Sequence, residues 1–315
     1  MRIVVVLALA LLIGCGGTVE SDDMPPPGDG ASVDPPVPAG CITDVATGDH
    51  QYTCSGLAVD ARIPAACQQP GCGLILVLHG DTGNGLLMDG HVRLRDLGEQ
   101  HGYIVAAPTG PPFGGGFPGS TWEATNDAML VDLVQQLAAV FRVDPTKIHV
   151  TGFSRGGFVT WRLLCDHADL FASAAPAGAG NGASFGEETC FTPGRTPARP
   201  IPIAFLMGRT DASVGYASMV QIRDAAIAAY GAGAPTPLDG DATYTHDRWT
   251  GSSVIETFDH AYETVADGPF GSARGHCIPG STTDPYAPQY AIPCVLPNSF
   301  VWGEQVMQFF LAHPM

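Results

Sequence analysis

Short, continuous runs of apolar residues alternate along this chain with longer segments in which apolar residues recur at helical spacing. The runs predict strands, because a strand that is buried on both faces shows no polar alternation, and the longer segments predict helices. Alternation of the two is typical of a parallel sheet that is covered by helices. The predicted strands are 74–78, 103–107, 148–150, 171–175, 203–207 and 254–258, and the predicted helices are 86–101, 126–142, 158–167, 218–230 and 302–312.

The pattern predicts one α/β domain at residues 41–315, with a mostly parallel central sheet flanked by helices. Parallel sheets of this kind place ligands at the carboxyl ends of their strands. Residues 16–40, which precede the domain, are rich in Pro, Gly, Ser and Asp and predict a disordered tether.

The first fifteen residues resemble a bacterial lipoprotein signal peptide. Arg2 precedes an apolar run that is too short to span a bilayer, and the run ends in Leu-Ile-Gly-Cys15. In such signals the chain is cleaved before the cysteine, which is then acylated. We therefore expect lipid on Cys15 and a location in the cell envelope, the alternative being an ordinary cleaved signal and a secreted protein.

The cysteine count agrees with export. Of nine cysteines, lipidation of Cys15 would leave eight, an even number that suits disulfides in an oxidising compartment. The spacings contain no Cys-x-x-Cys pair, which disfavours a metal site, and we expect no cofactor. Connectivity stays open at this point, but proximity in the chain favours Cys67–Cys72 and Cys277–Cys294, with Cys41–Cys54 and Cys165–Cys190 as the remaining pairs.

The formal net charge of −17 opposes binding to nucleic acid or to anionic lipid. We expect contact with a membrane through the lipid anchor only, and a monomeric protein.

The segment 148–157 carries the most informative motif. A short apolar strand leads into Gly152-Phe153-Ser154-Arg155-Gly156, and a helical segment follows. A serine hydroxyl needs a base and a sharp, exposed turn to act as a nucleophile, and this order of elements provides such a turn for Ser154. The N–H of Arg155 would then face a developing oxyanion. A second match around Ser184 lacks a preceding strand, and we interpret it as a loop coincidence.

A serine nucleophile on this architecture is followed along the chain by an acid and then by a histidine. Asp211 lies just after the strand 203–207, where a carboxylate can orient an imidazole, although a turn aspartate that bonds its own backbone is the alternative. The candidate bases after it are His246, His260, His276 and His313; of these, His276 lies in a loop bounded by Gly and Pro and is favoured.

The loop Leu78-His79-Gly80-Asp81 follows an early strand and is the candidate for the second oxyanion donor, through the N–H of Asp81. We expect His79 to be a hydrogen-bonded structural residue and not a catalytic one.

Taken together, these motifs resemble the extracellular polyhydroxybutyrate depolymerase and feruloyl/acetylxylan esterase group of α/β-hydrolases, over roughly residues 57–312. That group has an Asp-Pro pair before the nucleophile turn, as at Asp144, and an Asp-x-x-Val turn, as at Asp211. It often has Gly-His-x-Trp-Pro-Gly around the base, which residues 275–280 match except that Ile278 replaces tryptophan.

The resemblance implies an α/β-hydrolase fold and a serine ester hydrolase that acts on acylated polysaccharides or polyesters. It implies that His276 activates Ser154 while the amides of Asp81 and Arg155 hold the oxyanion. The candidates for a substrate-binding surface are position 278, where isoleucine departs from the pattern, and the aromatic residues Trp122 and Trp249, which could supply aromatic surface instead. The alternative for both tryptophans is core or rim packing. The loop 111–120 is a mobile pocket wall or a passive surface connection. Rival functions are a serine peptidase of the same fold and a non-catalytic surface binding protein.

Overall fold

The computed structural model of the protein describes residues 34–114, 119–264, 273–281 and 293–315. From Asp34 onwards the chain forms one compact unit. The predicted signal segment with Cys15, most of the predicted tether and the centre of the loop 111–120 lie outside the described residues. In the part of the chain that is described, no helix has the length and apolar character needed to cross a membrane.

The centre of the fold is a ten-stranded sheet in the order β1-β2-β4-β3-β5-β6-β7-β10-β9-β8. The inner strands β4, β3, β5, β6, β7 and β10 are parallel, and the strands outside them on both edges are antiparallel. The strands are β1 Gly48–Cys54, β2 Leu57–Ile63, β3 Gly73–Leu78, β4 Tyr103–Thr109, β5 Ile148–Phe153, β6 Ser173–Ala177, β7 Ile203–Gly208, β8 Thr236–Gly240, β9 Tyr244–Thr250 and β10 Val254–His260.

Helices cover both faces of the sheet, as the apolar pattern predicts. Strand β3 shows the reason: Leu74, Leu76 and Leu78 point into one core layer and Ile75 and Val77 into the other. The first layer is closed by α3, α4 and α5, and the second by α1, α2 and α6. The helices are α1 Gly85–Val92, α2 Leu94–His101, α3 Asp127–Phe141, α4 Arg155–Asp166, α5 Tyr216–Ala229 and α6 Trp302–Ala312.

The single helix predicted at 86–101 is wrong, because the chain forms two helices that meet at Arg93. This residue has a left-handed backbone with φ of 55° and ends α1. The buried carboxylate of Asp89 accepts hydrogen bonds from the backbone N–H of Arg95 at 2.9 Å and from its Nε at 2.7 Å. The side chain of Asp89 thus caps the second helix.

The described residues contain four disulfides. The two favoured pairs, Cys67–Cys72 and Cys277–Cys294, are confirmed, and so are the two remaining pairs, Cys41–Cys54 and Cys165–Cys190. Two of them hold segments that follow strands of the central sheet. One joins α4 to the segment after β6, and the other holds the loop that contains His276. A chain with this many bridges fits an oxidising, extracytoplasmic compartment.

Candidate active site

Ser154 lies at a strained turn between β5 and α4. Its φ of 54° and ψ of −119° are unfavourable for a residue with a Cβ, and such strain is typical of functional positions. The turn is held by backbone hydrogen bonds: the N–H of Ser154 donates to the carbonyl of Ala177 at 2.9 Å, and its carbonyl accepts from the N–H of Phe158 at 3.0 Å. The side chain is half-buried at the amino end of the helix.

The two motif glycines make this turn sterically possible. A Cβ on Gly152 would lie 2.4 Å from the carbonyl oxygen of Gly156, and a Cβ on Gly156 would lie 2.2 Å from the carbonyl oxygen of Leu78. Both distances are far below van der Waals contact, so any other residue would push α4 away from the sheet. The sequence pattern Gly-x-Ser-x-Gly is therefore a packing requirement here.

The acid and the base of the predicted triad are hydrogen-bonded to each other. The Nδ1 of His276 donates to Oδ2 of Asp211 at 2.6 Å, and both side chains are buried. The other carboxylate oxygen accepts from the backbone N–H of Ser213 at 2.9 Å and of Val214 at 2.8 Å. Asp211 thus orients the imidazole and leaves its Nε2 for chemistry.

The electrostatics of Asp211 favour its charged form. Burial by itself raises the pKa of this carboxyl, but the charge and hydrogen bond of His276, together with the two backbone N–H groups, outweigh burial and hold the pKa below its ordinary value. A carboxylate that stays ionised beside the imidazole stabilises the imidazolium that forms when the histidine accepts a proton.

The imidazole of His276 lies beside the turn that carries Ser154. Its ring packs on the ring of Phe153, the residue before Ser154, with 4.6 Å between centroids. A Cβ on Gly178, the residue after the carbonyl that holds the Ser154 amide, would lie 3.2 Å from Cε1 of His276. Across the described residues the serine hydroxyl makes no hydrogen bond to His276, a bond that in hydrolases often forms only when substrate is bound.

The competing histidines have structural roles. His260 is buried, its Nδ1 accepts from the backbone N–H of Tyr262 at 3.3 Å, and burial lowers its pKa to about 4. His246 pairs with Glu256 at 2.8 Å on the far edge of the sheet. The Nδ1 of His313 bonds a carbonyl of α6 at 2.8 Å. The same applies to His79, whose Nδ1 donates to the carbonyl of the next residue and whose Nε2 accepts a backbone N–H, at 2.7 and 3.0 Å.

His260 is also part of the one group of possible metal ligands among the described residues, together with Cys277 and Cys294. The two sulfur atoms are bonded to each other in a disulfide. A metal would need the two cysteines as thiolates. In the disulfide they hold the loop that contains His276 and offer no thiolate ligand.

The loop after β3 lies against the turn that carries Ser154. A Cβ on Gly80 would lie 3.1 Å from Cβ of Ser154, so the loop passes directly over the turn. Within the described part of the chain, the N–H groups of Asp81 and Arg155 donate no hydrogen bond. Arg155 is the first residue of α4, where an amide has no partner inside the helix. An oxyanion hole requires two free amides beside a serine, and the amides of Asp81 and Arg155 are candidates for that role.

A polar cleft of about 750 Å³ lies next to Arg155, and the buried residues Trp122 and Arg162 form part of its wall. Charged side chains from α3, α4 and the segment after β6 line about half of the cleft, and Phe185 is its exposed aromatic residue, 43% accessible. Sequence reasoning missed Phe185, because it follows Ser184 in the second motif copy. That copy forms a short 3₁₀ helix, Ala183–Phe185, with no strand leading directly into it.

The three residues predicted to bind substrate are all buried. For Ile278 and Trp249, which lie in the core, burial corrects the prediction. Ile278 is fully buried and packs in the second core layer. Trp249 on β9 is buried in the first layer, beneath the guanidinium of Arg223. Neither presents a surface to a ligand. Trp122 is 1% exposed at the cleft, and its indole N–H donates to the carbonyl of His79 at 3.0 Å, so it supports the loop after β3.

The sequence profile of the Alpha/beta hydrolase family matches residues 75–293, and the chain belongs to this family. The predicted fold class is thereby confirmed, and so is the resemblance to esterases and depolymerases, since relatives with both kinds of name are found.

Three known proteins illustrate the likeness. "Putative esterase NocK" of Nocardia uniformis subsp. tsuyamanensis is 29% identical over 65% of this chain and 63% of its own length. Poly(3-hydroxyalkanoate) depolymerase C of Paucimonas lemoignei is 28% identical over 40% of this chain and 33% of its own. The structure of an acetyl xylan esterase from Aspergillus awamori superposes with a TM-score of 0.52 at 19% identity, over 68% of this chain and 94% of that one.

The matches to the curated relatives cover less than two thirds of their length, from 22% of a bifunctional acetylxylan esterase/xylanase of Neocallimastix patriciarum to 63% of NocK. The structural likeness shows the fold.

Proposed function

We propose that the protein is a carboxylic ester hydrolase that forms an acyl-enzyme on Ser154. The observation that carries this proposal is the hydrogen bond of 2.6 Å between His276 and Asp211, made beside a serine held at a positive φ. The proposed nucleophile and acid follow the ends of β5 and β7, and the proposed base lies in the loop between β10 and α6. This order along the chain is the one that a serine hydrolase of this fold uses, which supports the proposal.

In the proposed reaction, Nε2 of His276 takes the hydroxyl proton of Ser154 while Oγ attacks the ester carbonyl. The amides of Asp81 and Arg155 hold the oxyanion of the tetrahedral intermediate. His276 then returns the proton to the departing alcohol oxygen, and the acyl group stays on Ser154. A water molecule gives up a proton to His276, attacks the acyl carbon and releases the acid, and the serine recovers its proton.

For the substrate we propose an oligomeric or polymeric ester, either an acylated polysaccharide or a polyester of the polyhydroxyalkanoate type. Support comes from the names of the relatives, which include both acetylxylan esterases and a poly(3-hydroxyalkanoate) depolymerase. The open, polar cleft beside Arg155 is large enough to admit a chain segment on one side of the nucleophile.

We further propose that the protein is exported as a lipoprotein acylated on Cys15, with residues 16–40 as the tether and residues 41–315 as the catalytic domain. The four disulfides support export. Membrane contact would then occur through the lipid alone. The acidic charge supports a protein that does not bind nucleic acid, and we propose a monomer.

The test is an assay of oxidised wild-type protein beside Ser154→Ala on short p-nitrophenyl esters, methyl ferulate, acetylated xylan and polyhydroxybutyrate. We expect the wild type to hydrolyse at least one of these and the variant to lose that activity, and the preferred substrate separates the two substrate classes. A wild type that is inert on all four would contradict the proposal and favour a peptidase or a binding protein.

A further inference from the structure

Arg155 and Asp81 supply the two proposed oxyanion amides, and their side chains bind each other. The Nε of Arg155 lies 3.2 and 3.3 Å from the two carboxylate oxygens of Asp81, so one ion pair joins the residue after the nucleophile to the loop after β3. Asp81 also accepts a hydrogen bond from the hydroxyl of Thr121. The mechanism uses only the backbone of Asp81 and Arg155, and their side chains have no role in it so far.

Glu187 holds the other side of this arginine. One carboxylate oxygen pairs with Nη1 of Arg155, and the other pairs with Nη1 of Arg162, two turns further along α4. Arg162 is fixed in turn by Asp127 on α3, which binds Nε at 2.7 Å and Nη2 at 2.9 Å. A continuous series of ion pairs therefore runs from α3 through Glu187 and Arg155 to Asp81 in the loop after β3.

These ion pairs are shielded enough to fix positions. The side chains of Arg162, Glu187 and Arg155 are 2%, 12% and 17% exposed. Exposed pairs contribute little, because water competes for both partners, whereas a buried charge that loses its partner forces a rearrangement. Removing Glu187 would leave Arg155 with Asp81 alone and free to move toward the cleft.

The segment that carries Glu187 is itself held in place. The Cys165–Cys190 disulfide bonds it to α4, the same helix that begins at Arg155. The N–H of Glu187 donates to the carbonyl of Gly182 at 3.1 Å. Glu187 is thus placed by covalent and hydrogen bonds that do not depend on either arginine.

We propose that Glu187 is a positioning residue for the oxyanion hole: it holds the guanidinium of Arg155 so that Arg155 fixes Asp81 and, with it, the two amides that bind the oxyanion. This inference rests on the proposed ester hydrolase function. It assigns to Glu187 no contact with substrate.

Charge and position predict opposite effects at this site. Neutralising Glu187 leaves the guanidinium of Arg155 less compensated, and through Coulomb attraction a stronger positive charge near the oxyanion favours the transition state. If charge were the main role, Glu187→Gln would raise kcat. If Glu187 positions the amides, the same change lowers kcat, because misplaced donors stabilise the transition state poorly.

The experiment compares Glu187→Gln with Glu99→Gln in the oxidised protein, using p-nitrophenyl acetate. Glu99 is the control: it loses the same charge, and it is an exposed residue of α2 that does not line the cleft. We expect kcat to fall by about 10- to 100-fold in Glu187→Gln with KM within about twofold, and to stay near wild type in Glu99→Gln.

A trifluoromethyl ketone gives a second readout, since its adduct with a serine carries an oxyanion. The affinity of Glu187→Gln for this ketone should weaken by the same factor as kcat. Partial unfolding of the variant would lower the number of active sites, which can be counted, but would not weaken the affinity of each site. In an Arg155→Gln background, which keeps the amide but loses the guanidinium, Glu187→Gln should have no further effect. If Glu187→Gln folds poorly, Arg155→Gln alone must show the loss in kcat.

Wild-type or higher kcat in Glu187→Gln, wild-type kcat in Arg155→Gln, or additive losses in the double variant would each overturn the inference. These results leave the proposed function standing as long as Ser154→Ala is inactive. A wild type that hydrolyses no ester would overturn both.

Discussion

Asp211 holds His276 by a single hydrogen bond of 2.6 Å while two backbone amides hold Asp211 itself. The carboxylate therefore has no freedom to turn away, and the imidazole is kept in the tautomer with its proton on Nδ1. The base of the proposed reaction is thus defined by a side chain that lies in the turn after β7, 65 residues before it in the chain.

Replacing that carboxylate by an amide tests this relationship. Asp211→Asn keeps the shape but can donate a proton to Nδ1, which favours the wrong tautomer of His276. We expect kcat on p-nitrophenyl acetate to fall by about 10³- to 10⁴-fold with KM little changed. A loss smaller than about tenfold, in protein that shows a full complement of serine labelling, would mean that another residue orients the base.

The elbow glycine gives a prediction about stability and activity together. Gly156→Ala places a Cβ 2.2 Å from the carbonyl oxygen of Leu78, so we expect a loss of about 2–4 kcal/mol in the free energy of unfolding and a large loss of kcat. Gly233→Ala is the control, because nothing lies within 4 Å of its added Cβ. Urea denaturation of both variants checks this; equal stability of the two would contradict the packing at the elbow.

Three buried histidines predict how stability depends on pH. Burial lowers the pKa of His79 and His260 to about 4 and of His149 to about 3. The unfolded chain binds these protons at its ordinary histidine pKa of about 6.5, so unfolding takes up protons between about pH 6.5 and 4 and stability falls as pH falls through this window. The three groups together give a slope of up to about 4 kcal/mol per pH unit.

The substitution His260→Asn isolates the contribution of one of these three histidines to the pH dependence of stability. In His260→Asn the amide oxygen can take the place of Nδ1 and accept from Tyr262, but it cannot titrate. We expect the pH dependence of the free energy of unfolding between pH 6.5 and 4 to become shallower by about one proton. An unchanged slope in His260→Asn would show that this histidine is not buried in its neutral form.

The Cys277–Cys294 bridge predicts a separation of activity from stability. Replacing both cysteines by serine should lower the free energy of unfolding by about 3 kcal/mol and also lower kcat, because His276 precedes Cys277. Removing Cys67–Cys72 should lower stability only, since Cys72 lies before the amino end of β3 and thus at the opposite end of the sheet from Asp81. Thermal melts and kcat of the two double variants check this; equal kcat in both would mean that the bridge does not hold the base.

The central sheet could be predicted because burial on both faces leaves an unmistakable pattern. Strands β3, β5 and β7 are buried at every position. In the sequence β3 and β7 are uninterrupted apolar runs, and β5 is mostly apolar but includes His149 and Thr151. The edge strands gave no such signal. Strand β1 alternates exposed and buried residues and includes polar side chains, and every residue of β8 is exposed. Antiparallel edge strands depend on partners that are distant from any local pattern.

The residues of the candidate site also divide into those that the sequence predicts and those that it does not. The order of nucleophile, acid and histidine can be inferred along the chain, because each residue comes just after a strand end or in a loop bounded by glycine. The role of Glu187 could not, since its partners Arg155 and Arg162 lie 32 and 25 residues away and nothing in the sequence pairs them. Burial of Trp249 and Ile278 was equally invisible, because it depends on the packing of several elements.

The most direct test of the account is covalent labelling with a fluorophosphonate, followed by mass spectrometry of the labelled peptide. In oxidised wild-type protein the label should lie on Ser154, should abolish ester hydrolysis in proportion to its incorporation, and should be absent from Ser154→Ala but present in Ser184→Ala. Ester hydrolysis that survives full labelling, or a label that lies on another serine, would contradict the assignment of Ser154 as the nucleophile.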